Sequence, residues 1–183
     1  MAQYLFLLLF GTLAASVPTP TTSEPESCAS ASMSHATWEV KGFNYRSSVI
    51  YTFPSHRIAN GYVDFNLTNL ALPSTMTCSA SSVQVMDFFY GNQWFKCLDP
   101  AGNDAEFQFD KASGRVDIQQ KWECTDSNPV SFMATGSTNV KLECQTKRWQ
   151  NPNWTSGAFY STEYTDCIPQ DFTLKPAELM ATT

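Results

Sequence analysis

Two histidines bound the acid–base chemistry open to this chain. His35 precedes the first segment of strand-like alternation, and His56 lies in a Pro-Ser-His-Arg turn. A histidine facing a carboxylate can shuttle protons during cleavage of a phosphodiester. Glu39, His56 and Arg57 are therefore the residues a small secreted hydrolase of ribonuclease type would use. Surface histidines in loops are the plainer reading, and the charge favours it, because the net charge is −6 with only 11 basic residues. Such a chain repels phosphate backbones, so nucleic acid is not an expected partner. A serine hydrolase needs a Gly-x-Ser-x-Gly elbow, which the sequence lacks. Asp99, Asp104 and Glu106 bracket an acidic loop, but their spacing fits no calcium loop. A solvated loop is expected there, with no metal and no cofactor.

Recognition has better candidates than catalysis. Aromatic residues make up 14% of the chain and include five tryptophans, so some can be spared from the core. Trp38, Trp94 and Trp122 fall in alternating segments and read as core or pocket walls. Trp149 and Trp154 fall in the polar stretch Lys147–Thr155, read as a loop. Tryptophan beside arginine is the composition of a binding surface, which singles out Arg148, Trp149 and Trp154. The competing reading folds both rings over a barrel end.

These side chains must be carried by strands. Arg115 to Thr125 places Val116, Ile118, Trp122 and Cys124 on one face, broken only by Gln120. Asn139 to Gln145 places Val140, Leu142 and Cys144 together, and Tyr62 to Leu67 does the same with Val63, Phe65 and Leu67. Period-two alternation of this kind makes half-buried strands. Turn chemistry separates them, including Lys111-Ala-Ser-Gly114 and Asn60-Gly61, the latter a type I′ hairpin signal. No segment keeps a helical period for three turns. Short strands at regular spacing predict an all-β fold, a compact antiparallel barrel or sandwich.

The apolar run Tyr4–Phe10 and the small residues after it read as a signal peptide over residues 1–16. The run is too short to span a bilayer, and no membrane partner is expected. Residues 17–34 read as a disordered Pro/Ser/Thr-rich linker, 35–176 as the β domain and 177–183 as a flexible tail. Six cysteines, Cys28, Cys78, Cys97, Cys124, Cys144 and Cys167, are even in number and hold no CxxC pair. In an exported chain that argues for disulfides stapling the fold, with every pairing left open. Asn66-Leu-Thr68 and Asn153-Trp-Thr155 are glycosylation sequons, which fits an extracellular location.

The order of residues adds a resemblance. Trp38-Glu-Val40 with Phe43, Val63-Asp-Phe-Asn-Leu67, Thr77-Cys-Ser-Ala80, Trp94 with Cys97, Phe107-Gln-Phe-Asp110 and the Ile118 strand follow one another. The set, spanning Trp38 to Lys175, resembles the Alternaria major-allergen family of fungal secreted proteins. The resemblance implies an antiparallel β-barrel without enzyme activity. It implies allergens, elicitors or effectors that bind small flavonoid-like ligands or thaumatin-like plant defence proteins. It implies bridges Cys78–Cys97 and Cys144–Cys167, with Cys28 at the position of a cysteine that joins two subunits. Cys124 is extra to that pattern and could pair with Cys28 instead, removing the covalent homodimer. The expected function is binding of a host protein or small molecule. A ribonuclease-like hydrolase and a structural surface protein are the alternatives.

Overall fold

The computed structural model describes residues 26–125 and 128–183. The expected signal peptide and residues 17–25 of the expected linker lie outside the described residues. Helix α1 (Cys28–His35) leads into eleven strands: β1 (Trp38–Phe53), β2 (His56–Asn69), β3 (Thr75–Ser82), β4 (Phe95–Leu98), β5 (Asp104–Asp110), β6 (Arg115–Cys124), β7 (Val130–Asn139), β8 (Cys144–Gln150), β9 (Ser161–Cys167), β10 (Gln170–Leu174) and β11 (Glu178–Thr182). All strand pairs are antiparallel, in the order β11-β7-β6-β5-β4-β3-β2-β1-β9-β8, with β10 also on β1. The all-β reading stands.

The sheet curls on itself to form a body. Its inner face collects Trp38, Val40, Phe43, Phe65, Phe107, Phe109 and Ile118, all buried. Ring pairs such as Phe65–Phe107 at 4.8 Å and Phe43–Phe109 at 5.3 Å tie opposite strands together. Consecutive strands β10 and β11 pair with β1 and β7 respectively, so the C-terminal segment bridges the seam of the curl.

Gln120, the polar break in the β6 pattern, has a partner set that explains it. Its Oε1 accepts from Trp38 Nε1 at 2.7 Å and from Asn69 Nδ2 at 3.0 Å. All three residues are buried. The amide thereby pins β1 and β2 to β6 across the core, and buried polar groups are tolerated when paired in this way.

Local geometry departs from the sequence reading at several points. At Gly42, with φ +67°, the register of β1 against β2 slips by one residue between Lys41 and Asn44. Glycine supplies this left-handed bulge cheaply, and it turns Phe43 and Tyr45 back into the core. Asn60-Gly61 is not a turn but lies inside β2; a Cβ on Gly61 would sit 2.6 Å from Phe88 Cβ, so the glycine serves a close approach. The expected strand Asn139–Gln145 is split. β7 ends at Asn139, Val140 N donates to Gly114 O at 2.8 Å, and pairing resumes only at Cys144. Cys144 is therefore exposed rather than inward.

Both ends of the domain are more ordered than their composition suggests. Residues 28–34, expected as linker, belong to α1. Ser27 caps it by accepting from Ser30 N, but eight residues are marginal alone. The helix is held by Cys28–Cys124 and by Trp122 Nε1 donating to Ser32 Oγ at 2.9 Å. The expected tail 177–183 contains β11, which hydrogen-bonds β7.

Candidate functional site

The second half of β1 leaves the body. From Trp38 to Tyr45 inward residues are buried, whereas Ser47 to Thr52 are half-buried on both faces. This half pairs with the start of β2 and with β9, which carries β8 as the outer edge. The result is a four-stranded wing. Every residue of β8 is exposed.

Register assigns the side chains to two faces. One row runs Ile58–Ile50–Thr162–Trp149 across all four strands, and the next places Ser48, Tyr164 and Lys147 together. Trp149 is 51% and Ile58 52% exposed, so this face offers apolar surface to solvent. The opposite face carries Val49, Tyr51 and Ala59. The segment 83–90 folds over it, bringing Val85, Met86 and Phe88 to form a cleft of about 220 Å³. Arg57 and Glu163 are among its lining residues. Met86 (φ 86°) and Phe88 (φ 67°) hold left-handed backbone without being glycine, a strained arrangement that concentrates at functional sites. Met86 is 76% exposed.

The Arg148–Trp149–Trp154 grouping comes apart on this scaffold. Arg148 and Trp149 lie on β8, not in a loop, and neighbours on a strand point to opposite faces. Arg148 Nε donates to Glu163 Oε2 at 2.6 Å on the cleft side. That hydrogen bond, with the carboxylate's charge, raises the guanidinium pKa above its already high value. Trp149 faces the other way. Trp154 folds back onto the wing tip, edge-on to Phe53 (5.7 Å) and Tyr160 (5.8 Å), and its Nε1 donates to Ala158 O. The sequence reading singles out none of Ile50, Ile58 and Tyr164: Ile58 falls between the Pro-Ser-His-Arg turn and the expected Asn60-Gly61 turn, and the short segments around Ile50 and Tyr164 do not mark which face is wet.

The acid–base set is not assembled. Glu39 pairs with Lys41 at 3.1 Å near the start of β1, and His56 lies at its far end, with Nδ1 2.8 Å from Thr52 Oγ1. Strands rise about 3.3 Å per residue, so the two are separated by on the order of 40 Å. His35 is 3.5 Å from Glu26 at the end of α1. Asp99 is consumed by its own loop, accepting from Ala101 N, Asn103 N and Asn103 Nδ2. Among the described residues no group of three His, Cys, Asp or Glu is placed to hold a metal.

Disulfides tie these parts together. Cys78–Cys97 joins directly opposed residues of β3 and β4, and Cys144–Cys167 does so for β8 and β9. Cys28 is bonded to Cys124 within the chain, which leaves it no thiol for a second subunit. Both sequon asparagines, Asn66 on β2 and Asn153 in the loop after β8, are exposed.

Residues 40–167 match the family model of Alternaria alternata allergen 1. The chain belongs to that family. The match runs from Val40 in β1 to the end of β9, hence over most of the body, the segment over the cleft and the whole wing. No curated protein and no solved structure matches the chain. Within this allergen-family member, α1 and the bridging strands β10 and β11 lie outside the matched stretch.

Proposed function

We propose that this allergen-family protein is secreted and works by binding, as an effector-like protein whose wing docks on a plant defence protein of the thaumatin-like class. The observation that carries this reading is the wing itself. One of its faces sets Ile58 and Trp149, both about half exposed, in a single row across four strands, and every residue of its edge strand β8 is exposed. Monomeric proteins seldom leave contiguous apolar patches unpartnered. The cleft volume helps choose between ligand types. At about 220 Å³ it falls below the usual ~300–1,000 Å³ of small-molecule sites. It suits one inserted side chain better than a multi-ring ligand. Secretion is supported by the family and by three disulfides within the chain, which persist in oxidising compartments.

Binding should be measured against a purified thaumatin-like plant protein by biolayer interferometry. The wild type should bind, and the pair Ile58→Thr, Trp149→Thr should weaken binding at least tenfold with the fold intact. Absence of wild-type binding would overturn the partner. RNA cleavage that disappears in His56→Ala would overturn a binding-only role.

A further inference from the structure

The outer face of the body carries a groove that differs in character from the wing. The outer face of the sheet there is polar and regular. Gln108 of β5, Asp117 of β6 and Ser137 of β7 stand directly opposite one another in one row. The adjacent row is Glu106, Gln119, Thr135 and Glu178, running on to β11. Over these rows lies a groove of about 340 Å³, within the usual range for ligand sites.

One wall of the groove is Trp94, which sits ahead of β4 and is 39% exposed. The sequence reading put Trp94 inside a strand, as core or pocket wall. Its ring is not loose. With the Gln108 amide turned as its neighbours require, Oε1 accepts from Trp94 Nε1 at 2.6 Å and Nε2 donates to Gly91 O at 3.1 Å. The indole's polar edge is thus satisfied internally, and what it can offer a ligand is apolar ring surface. The floor offers the opposite chemistry. Among the described residues, the side chains of Thr135, Ser137 and Glu178 have no hydrogen-bond or ion-pair partner. Gln119 spends one donor on Glu106 at 2.7 Å and keeps its acceptor.

We propose that this groove binds a neutral oligosaccharide of β-1,4-linked gluco-type sugars. Such sugars present a flat face of polarised C–H groups, which match the negative face of an aromatic ring. Their edges carry hydroxyls, each both donor and acceptor, which match a floor of amides, hydroxyls and carboxylates. Charge excludes the obvious competitor. The groove's cation, Arg115, already donates to Asp117 at 2.8 Å, and Glu178 stands nearby. A phosphate or sulfate group would meet net negative charge there. An apolar ligand would strip water from the polar floor without replacing its hydrogen bonds. Four strands about 4.8 Å apart give the groove a span of about 14 Å, room for about three sugar residues.

The test is calorimetric titration of the intact chain with cellohexaose and with chitohexaose. At least one should bind, and Trp94→Ala should weaken it tenfold or more, with Trp94→Phe recovering part of the loss. Asp117→Asn, in a site not packed in the core, should also weaken binding and guards against a fold defect at Trp94. Far-UV circular dichroism and the thermal midpoint of both variants should match the wild type. Wing variants Ile58→Thr and Trp149→Thr should leave sugar binding unchanged, so failure of the wing proposal and failure of this one are separable. No binding of either hexasaccharide at millimolar concentration, or equal binding by Trp94→Ala, would overturn the proposal.

Discussion

The two halves of β1 make the most instructive contrast in the molecule. From Trp38 to Tyr45 the inward residues are fully buried, while Ser47 to Thr52 is half-covered throughout. One strand thus serves two structures with different sources of stability. The body rests on apolar burial, which contributes about 25 cal/mol per Å² removed from water, and on a few buried polar pins. The wing buries little. It depends on strand hydrogen bonds, the Cys144–Cys167 bridge and the tip cluster of Phe53, Trp154 and Tyr160. Surface free of structural duty is surface available for recognition, and on the wing that surface is apolar.

The contrast is sharpest at Gln120. Replacing Gln120 with Ala leaves the Trp38 indole N–H and the Asn69 amide buried without their shared acceptor, and opens a cavity. Each orphaned group costs about 1–3 kcal/mol, so a total loss of about 3–5 kcal/mol is expected in urea unfolding, with amides throughout the body losing protection together. A loss under about 1 kcal/mol would show that the pin is not what holds β1 to β6.

The wing should yield differently. Cys144→Ser with Cys167→Ser opens a bridge spanning 23 residues, for which loop-closure entropy gives about 3 kcal/mol. The expected result is local. Hydrogen exchange in β8 and β9 rises at least tenfold while β5 to β7 keep their protection. Loss of protection in both regions together would mean that wing and body form one cooperative unit.

How much of this was legible in the sequence follows the same divide. Body strands such as Arg115–Cys124 declare themselves because one face is buried and the other wet, and even the odd residue, Gln120, marked a real feature. The wing could not be read in this way. With neither face fully buried, Lys147–Thr155 reads as a loop and Cys144 as an inward residue although Cys144–Gln150 is an exposed edge strand, so Arg148 and Trp149 look like neighbours on one surface. Glu178–Thr182 has a helix-favouring composition, and only pairing with β7 makes it a strand. The Gly42 bulge and the Gly61–Phe88 contact are tertiary facts about glycines that look like ordinary turn or strand residues. The Trp94 groove depends on which residues stand opposite one another across four strands, which local pattern does not encode.

Tyr45, the last buried residue of β1 before the wing, supplies a smaller test at the junction. Its hydroxyl is buried without a hydrogen-bond partner. Burial pushes its pKa from 10.0 up to about 12, the nearby Ser47 hydroxyl opposes the shift, and the Asp87 charge adds to it. The folded state therefore prefers the neutral phenol. Its contribution is complete below the unfolded pKa of about 10 and is lost as pH rises toward about 12, where the unfolded chain ionises first. The wild-type urea midpoint should fall more steeply over that interval than that of Tyr45→Phe. At neutral pH the variant should be no less stable, since it removes an unpaired polar group. Equal alkaline slopes would show that the phenol is hydrated.

The smallest expected effect bears most on function. Ile58→Thr and Trp149→Thr keep β-favouring side chains on exposed positions, so each should change unfolding free energy by no more than about 0.5 kcal/mol. The matching change in the body, Phe107→Thr, removes a fully buried ring and should cost about 3–5 kcal/mol. The comparison turns on that gap. If the wing substitutions cost as much as the body one, their side chains are structural and the exposed row is no docking face. If they are neutral for stability yet weaken binding to the thaumatin-like protein, the wing's apolar surface is kept for a partner rather than for the fold.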